Sequence, residues 1–177
     1  KSNGFGIIDL IHPDNIITQP ATDGYAFRVV ERGTDPHCID QGFKKMAIAA
    51  GVNIHYNVKK DPNECQIIAA GPKDSSAIAF GEIFHTDHPN HVAFQLNDKL
   101  APGAYSYLII IDGIGLICTC LWRQQKKSSR YLNETIAWYD EHYELNRQPI
   151  KRVGGKGDFA IPNKYIHNGK IYVGEAG

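Results

Sequence analysis

YSYLIIIDGIGLICTCLW occupies residues 105–122. Two apolar runs of strand length flank Asp112-Gly113, a pair that favours a tight hairpin because glycine supplies the positive φ such turns demand. Antiparallel pairing follows. Upstream, IAFGEIFHT from residue 78 and HVAFQLN from residue 91 have the same strand-like composition. The stretch from Ala77 to Trp122 therefore reads as an antiparallel sheet without long helices. On one side of the hairpin, Tyr105 and Tyr107 share a strand face, two residues apart. On the other, Cys118 and Cys120 share a face in the same way.

Working outward, a helix is predicted from about Ser129 to Leu145, with Leu132, Ile136, Tyr139 and Tyr143 on one stripe and charges opposite. It should lie across the sheet. The rest, Ile150 to Gly177, reads as a glycine-rich loop closed by a short terminal strand, KIYVGEAG. Toward the N-terminus, GFGIIDLI and GYAFRVVERG read as a pair of strands separated by the turn-prone segments HPDN and PATDG. Asp35 before Pro36 signals a helix start. Ile39, Phe43, Met46, Ala47 and Ala50 then follow at helical spacing, and Gly51 stops the helix. VNIHYN and CQIIAAG read as strands, the second apolar throughout and so expected to be buried on both faces.

The 177 residues, 42% hydrophobic and 21% charged, suffice for one core or two small lobes. Lys plus Arg and Asp plus Glu both number 19, so no global field points to nucleic acid or an anionic membrane. No apolar run approaches the roughly 20 residues of a spanning helix. The chain starts at Lys1 and its one methionine is Met46, which leads to the expectation of a piece excised from a longer protein. A cytoplasmic location is expected, with peripheral membrane association left open but not indicated. The four cysteines lack the C-x-x-C spacing of zinc ribbons or redox motifs, and Cys118 and Cys120 read as core packing rather than chemistry.

No constellation for catalysis stands out. HTDHPNH, residues 85–91, holds three histidines and an aspartate, but the spacing suits neither a helix face nor a strand face. It reads as a polar connection between strands, with no metal. Ser75 and Ser76 sit outside any G-x-S-x-G elbow, and GGKGDF from Gly154 lacks the spacing of a phosphate loop. What remains is a set of turns at strand ends: IIAAGPKDSS at 67–76, GGKGDFAIP at 154–162 and YVGEAG at 172–177. Small residues at the carboxyl ends of strands let backbone approach a ligand.

In this order, those turns resemble the geranylgeranyl reductase-like flavoproteins, a branch of the p-hydroxybenzoate hydroxylase-type FAD-dependent oxidoreductases. YVGEAG is similar to the family's Gly-Asp/Glu-Ala-Ala/Gly turn, whose acid accepts hydrogen bonds from the flavin's ribityl chain. CIDQGFKKMAIAAGVNIHYN is similar to a family helix and strand, and QIIAAGPKDSS to its second cofactor-side strand. APGAYSYLIII is similar to the strand bearing a Tyr-x-Trp substrate-pocket motif. The resemblance runs from roughly Gly24 onward. It implies an α+β fold: a large antiparallel or mixed sheet forming a substrate-binding lobe, approximately 77–153, with two main helices. Pieces of an FAD-binding α/β lobe would lie at approximately 34–76 and 154–177.

It further implies FAD as cofactor of the parent protein, near Gly71, Gly157, Pro162, Gly174 and Glu175, and a substrate pocket walled by Tyr105 and Tyr107. A small apolar substrate is expected, and electrons would arrive from NAD(P)H or an electron-transfer protein. No side chain is assigned as acid or base. The chain also departs from the family. The Gly-x-Gly-x-x-Gly pyrophosphate fingerprint is absent, so FAD is expected to be missing from this piece by itself. Ala70-Gly71 stands for Asp-Gly, Tyr107 for the pocket tryptophan, and Thr119-Cys120-Leu121 for a Gly-x-Gly. The reading from another class is a non-catalytic module whose sheet cradles a small apolar ligand or a protein.

Overall fold

In a computed structural model describing residues 2–5, 7–12, 15–20, 27–71, 75–158 and 165–174, Asp112 and Gly113 both take positive φ, +49° and +81°. That is the requirement of a two-residue hairpin whose twist matches its strands. Along the chain run β1 (Ser2–Phe5), β2 (Ile7–His12), β3 (Asn15–Pro20) and β4 (Phe27–Val30), then α1 (Ile39–Ala49) and β5 (Ile67–Ile68). They are followed by β6 (Ala77–His85), β7 (His91–Gln95), β8 (Ser106–Ile111) and β9 (Ile114–Leu121). The chain continues through α2 (Ser128–His142), β10 (Gln148–Gly157), β11 (Ile166–His167) and β12 (Lys170–Tyr172).

Seven strands form one sheet in the order β10-β6-β9-β8-β7-β2-β3. Every pairing in it is antiparallel except β2 with β7, which makes the sheet mixed. The fold is α+β, a large mixed sheet with two helices. Because strand side chains alternate, the register gives each face its own set. Leu108, Ile110 and Ile117 lie on the face that meets α2, where Leu132 and Tyr139 are fully buried, and Ile11, Phe84 and Ala93 join the same core. The predicted stripe of α2 thus packs as expected, and α2 crosses β6 and β9.

Charge closes the rim of this core. Glu82 is 7% exposed and accepts from Arg147 Nη1 at 2.5 Å and from Arg152 Nε at 3.3 Å. Arg147 also grips Asp140 of α2 with two bonds of 2.8 Å. A buried carboxylate is tolerable when paired and hydrogen-bonded in this way, and the planar fork of Arg147 ties α2 to β6.

Several elements differ from their sequence expectation. GFGIIDLI is divided: β1 pairs with β4, whereas β2 joins the large sheet through β7. NIITQP, unassigned in the sequence, is strand β3 of a β2–β3 hairpin. The stretch read as glycine-rich loop from Ile150 contains β10, a ten-residue edge strand on β6. Its ladder is made by main chain, and an edge position tolerates lysine and glycine, so no apolar alternation was needed. VNIHYN is exposed and forms no strand. CQIIAAG shrinks to β5, in which Ile67 is 61% exposed and Ile68 is 8% exposed, so burial on both faces does not occur. It lies at the edge of a three-stranded sheet, β11-β12-β5, paired with β12. Helix α1 forms as expected but buries none of its residues. Among the described residues, no helix is long and apolar enough to cross a membrane.

Candidate functional site

The large sheet's second face carries an unusual load. Counting from the Asp112–Gly113 turn, Tyr107 stands opposite Cys118, and Phe94 on β7 stands opposite Tyr107. Leu10, Ile17 and Ile114 are each more than 40% exposed, and Ile83, Ile109 and Leu116 are half-buried. An apolar surface of this breadth marks a place where something binds.

Three hollows indent it. One of about 400 Å³ lies between Leu10, Ile17, Phe94, Leu96 and Tyr105. Another of about 370 Å³ lies over Ile83, Ile109 and Leu116, with Glu31 at its edge. Between strands β6, β8 and β10 a third, of about 260 Å³, is lined by Ala79, Tyr105, Tyr107, Cys120, Gly155 and Gly157. Residue size explains the third: β6 and β10 place the small Ala79 and Gly155 on one side of Cys120 in β9, and the rings of Tyr105 and Tyr107 stand on the other. A Cβ built on Gly155 would meet nothing within 4 Å. A roomier hollow, about 650 Å³, runs along α1 by Val30, Cys38, Phe43 and Met46. It lies away from the aromatic and thiol cluster, which makes the sheet face the better site.

The rings of Phe94, Tyr105 and Tyr107 form a triangle with centroids 6.1 to 6.3 Å apart, a favourable separation for tilted aromatic contacts. Burial raises the pKa of both tyrosines, and the neighbouring thiols add to it. Both phenols therefore stay protonated and able to donate. Cys118 is 4% exposed, and hydrogen bonding with Cys120, followed by burial, pushes its thiol up. The same contact draws Cys120 down.

Of the residues singled out in the sequence, Tyr105, Tyr107 and Gly157 meet at one hollow. Gly71 and Gly174 lie elsewhere. They follow the ends of β5 and β12, which are parallel neighbours with Ile68 opposite Tyr172, and Val173 N–H donates to the Ile68 carbonyl at 2.9 Å. Both have positive φ, +80° and +63°, and open space where a Cβ would stand. Pro162 and Glu175 lie outside the described residues. Phe94, Cys120, Ala79 and Gly155 were not foreseen as site residues. The hairpin register could have found Cys120, because it places that residue across from Tyr105.

The histidine segment resolves differently from a plain connection. His85 ends β6 and His91 begins β7, so only residues 86–90 link the strands. His91 Nε2 lies 3.1 Å from Asp9 Oδ2, and Asp9 also accepts from Thr18 at 2.8 Å and Tyr143 at 3.0 Å. Among the described residues, no group of three or more His, Cys, Asp or Glu is placed to hold a metal.

The fold resembles a solved structure described as a geranylgeranyl bacteriochlorophyll reductase-like protein from Thermoplasma acidophilum, with a TM-score of 0.69 and 16% identity. The match covers 98% of this chain and 55% of that one, so the chain spans about half the length of that relative. At this identity the likeness establishes the fold. No family model and no curated protein matches the sequence.

Proposed function

We propose that this chain supplies the substrate lobe, approximately residues 77–153, and part of the cofactor lobe, approximately 34–76 and 154–177, of an FAD-dependent oxidoreductase. The observation that carries this reading is the hollowed apolar sheet face, walled by Phe94, Tyr105 and Tyr107, in a fold shared with a reductase-like protein. The backbone at Gly71 and Gly174 suits a cofactor edge. Two adjacent parallel strands end there, and neither residue has a side chain to hold a ligand off. Pyrophosphate binding needs a Gly-x-Gly-x-x-Gly turn that these residues do not contain, so chain beyond them would supply it.

When bound, the flavin supplies hydride transfer. This chain's residues supply position and exclusion of water. The aromatic triangle presents flat apolar surface to the substrate, and the two protonated phenols donate hydrogen bonds to a polar group on it. Electrons would come from a nicotinamide or an electron-transfer protein. The substrate would be a small, largely apolar molecule.

The test is flavin binding by the whole reading frame that contains this chain. Glu175, three residues past β12 in the sequence, would accept hydrogen bonds from the ribityl hydroxyls, worth roughly 1.5–3 kcal/mol. Glu175→Ala is expected to weaken FAD binding by roughly tenfold to a hundredfold, measured by titration of the apoprotein. Glu175→Gln separates charge from shape. Unchanged affinity in both variants, or a full-length protein without visible flavin absorbance, would overturn the reading in favour of a module that only binds an apolar ligand.

A further inference from the structure

We propose that β3 is an association edge, at which two copies of this chain pair their β3 strands antiparallel about a two-fold axis and merge their sheets. β3 ends the order of the large sheet, and among the described residues only β2 pairs with it. Its other side is open. Every second residue of an antiparallel strand turns its N–H and C=O away from its neighbour. Pro20 has no N–H to give, which suits a residue whose main chain faces outward, and alternation turns Thr18 and Ile16 the same way. Open ladder groups of this kind invite another strand.

The two ends of the sheet meet this hazard differently. At one end β10 carries Lys151, Arg152 and Lys156, all exposed, and cations along an edge oppose pairing between copies. At the other, β3 reads NIITQP and carries no charge. It also shows apolar side chains on both faces, because Ile16 stands opposite Ile11, Ile17 stands opposite Leu10, and each is 46% exposed. Nothing guards this edge.

A second copy fits it on two grounds. The formal net charge of the chain is zero, so two copies approach without long-range repulsion. The uncharged strand is also complementary to itself. Opposed residues of antiparallel strands share a face, and centring the pair on Ile17 sets Ile16 opposite Thr18 and Asn15 opposite Gln19, with Pro20 left outside the ladder. Ile16 and Thr18, whose main chains face outward, then exchange the ladder hydrogen bonds. At the axis Ile17 meets Ile17 of the second copy as a pair without mutual hydrogen bonds, with Cα atoms about 4.5 Å apart. No like charges oppose each other. The axis stands perpendicular to the sheet, so the apolar second faces of both copies join into one surface. This pairing does not depend on the flavin reading and is tested without cofactor.

In sedimentation equilibrium under reducing conditions, the weight-average mass is expected to rise from one chain toward two between about 10 and about 500 µM, as suits a contact smaller than a standard interface. Ile17→Lys sets two like charges against each other at the axis and should hold the chain monomeric over that range, with an unchanged far-UV spectrum. Ile17→Cys, a gentler change, should form a disulfide between the introduced thiols of two copies when oxidised at about 100 µM, as peptide mapping would show. Ile150→Cys, on the opposite edge of the sheet, should not. A single-chain mass at every concentration, association that Ile17→Lys leaves intact, or an Ile17→Cys variant that crosslinks no faster than Ile150→Cys would each overturn the proposal. So would a dimer abolished by Phe43→Ser with Met46→Gln but not by Ile17→Lys, which would assign association to α1.

Discussion

His91 shows how one side chain makes the fold sensitive to pH. It is half-buried at the start of β7, and burial lowers its pKa more strongly than the nearby Asp9 carboxylate raises it. The folded protein therefore holds His91 neutral where the unfolded chain would bind a proton, below its ordinary value of about 6.5. With more protons bound when unfolded, stability rises with pH through the window between the folded and unfolded values and levels off above it. Urea melts at about pH 5 and about pH 7.5 should show the lower stability at the lower pH, and His91→Gln should flatten that difference. An undiminished pH slope in the variant would place its origin elsewhere. The sequence shows a histidine in a polar stretch. That it is half-buried depends on β2, which brings Asp9 from 82 residues away in the chain.

Among the elements, the β8–β9 hairpin was most fully written in the sequence, because its determinants are local. Asp112-Gly113 sets the turn, the turn sets the register, and the register puts Tyr105 and Tyr107 on the face of Cys118 and Cys120. Gly113→Ala keeps the sequence pattern but forces a Cβ onto a residue at φ +81°, a conformation costing L-residues about 1–2 kcal/mol. Its denaturation midpoint should fall accordingly at unchanged m-value. No loss of stability would mean that the turn relaxes into another type. β10 is the counterexample. QPIKRVGGKG carries no strand period, and only the exposed edge of β6 recruits it through main-chain hydrogen bonds.

At the scale of the molecule, the two helices contrast. α2 buries Leu132, Thr135 and Tyr139 completely, whereas Phe43 and Met46 of α1 are 62% and 67% exposed. Replacing Phe43 by Ser and Met46 by Gln together should leave the chain's unfolding free energy within about 0.5 kcal/mol per site, as at ordinary surface positions, while lowering its binding of a hydrophobic dye. A large destabilisation would show that α1 is packed. By itself the sequence determined the strands from Ala77 to Trp122, the Asp112-Gly113 hairpin, both helices, and the shared strand face of Tyr105 and Tyr107. Periodicity and turn chemistry act over a few residues and are visible in one dimension. The tertiary structure alone decided that β2 inserts beside β7, that β10 extends the sheet, and that Gly155 and Ala79 open a hollow beside Cys120. Those outcomes depend on which edge is free and which side chains meet across strands distant in sequence. A small residue leaves a space only when its neighbours do not fill it.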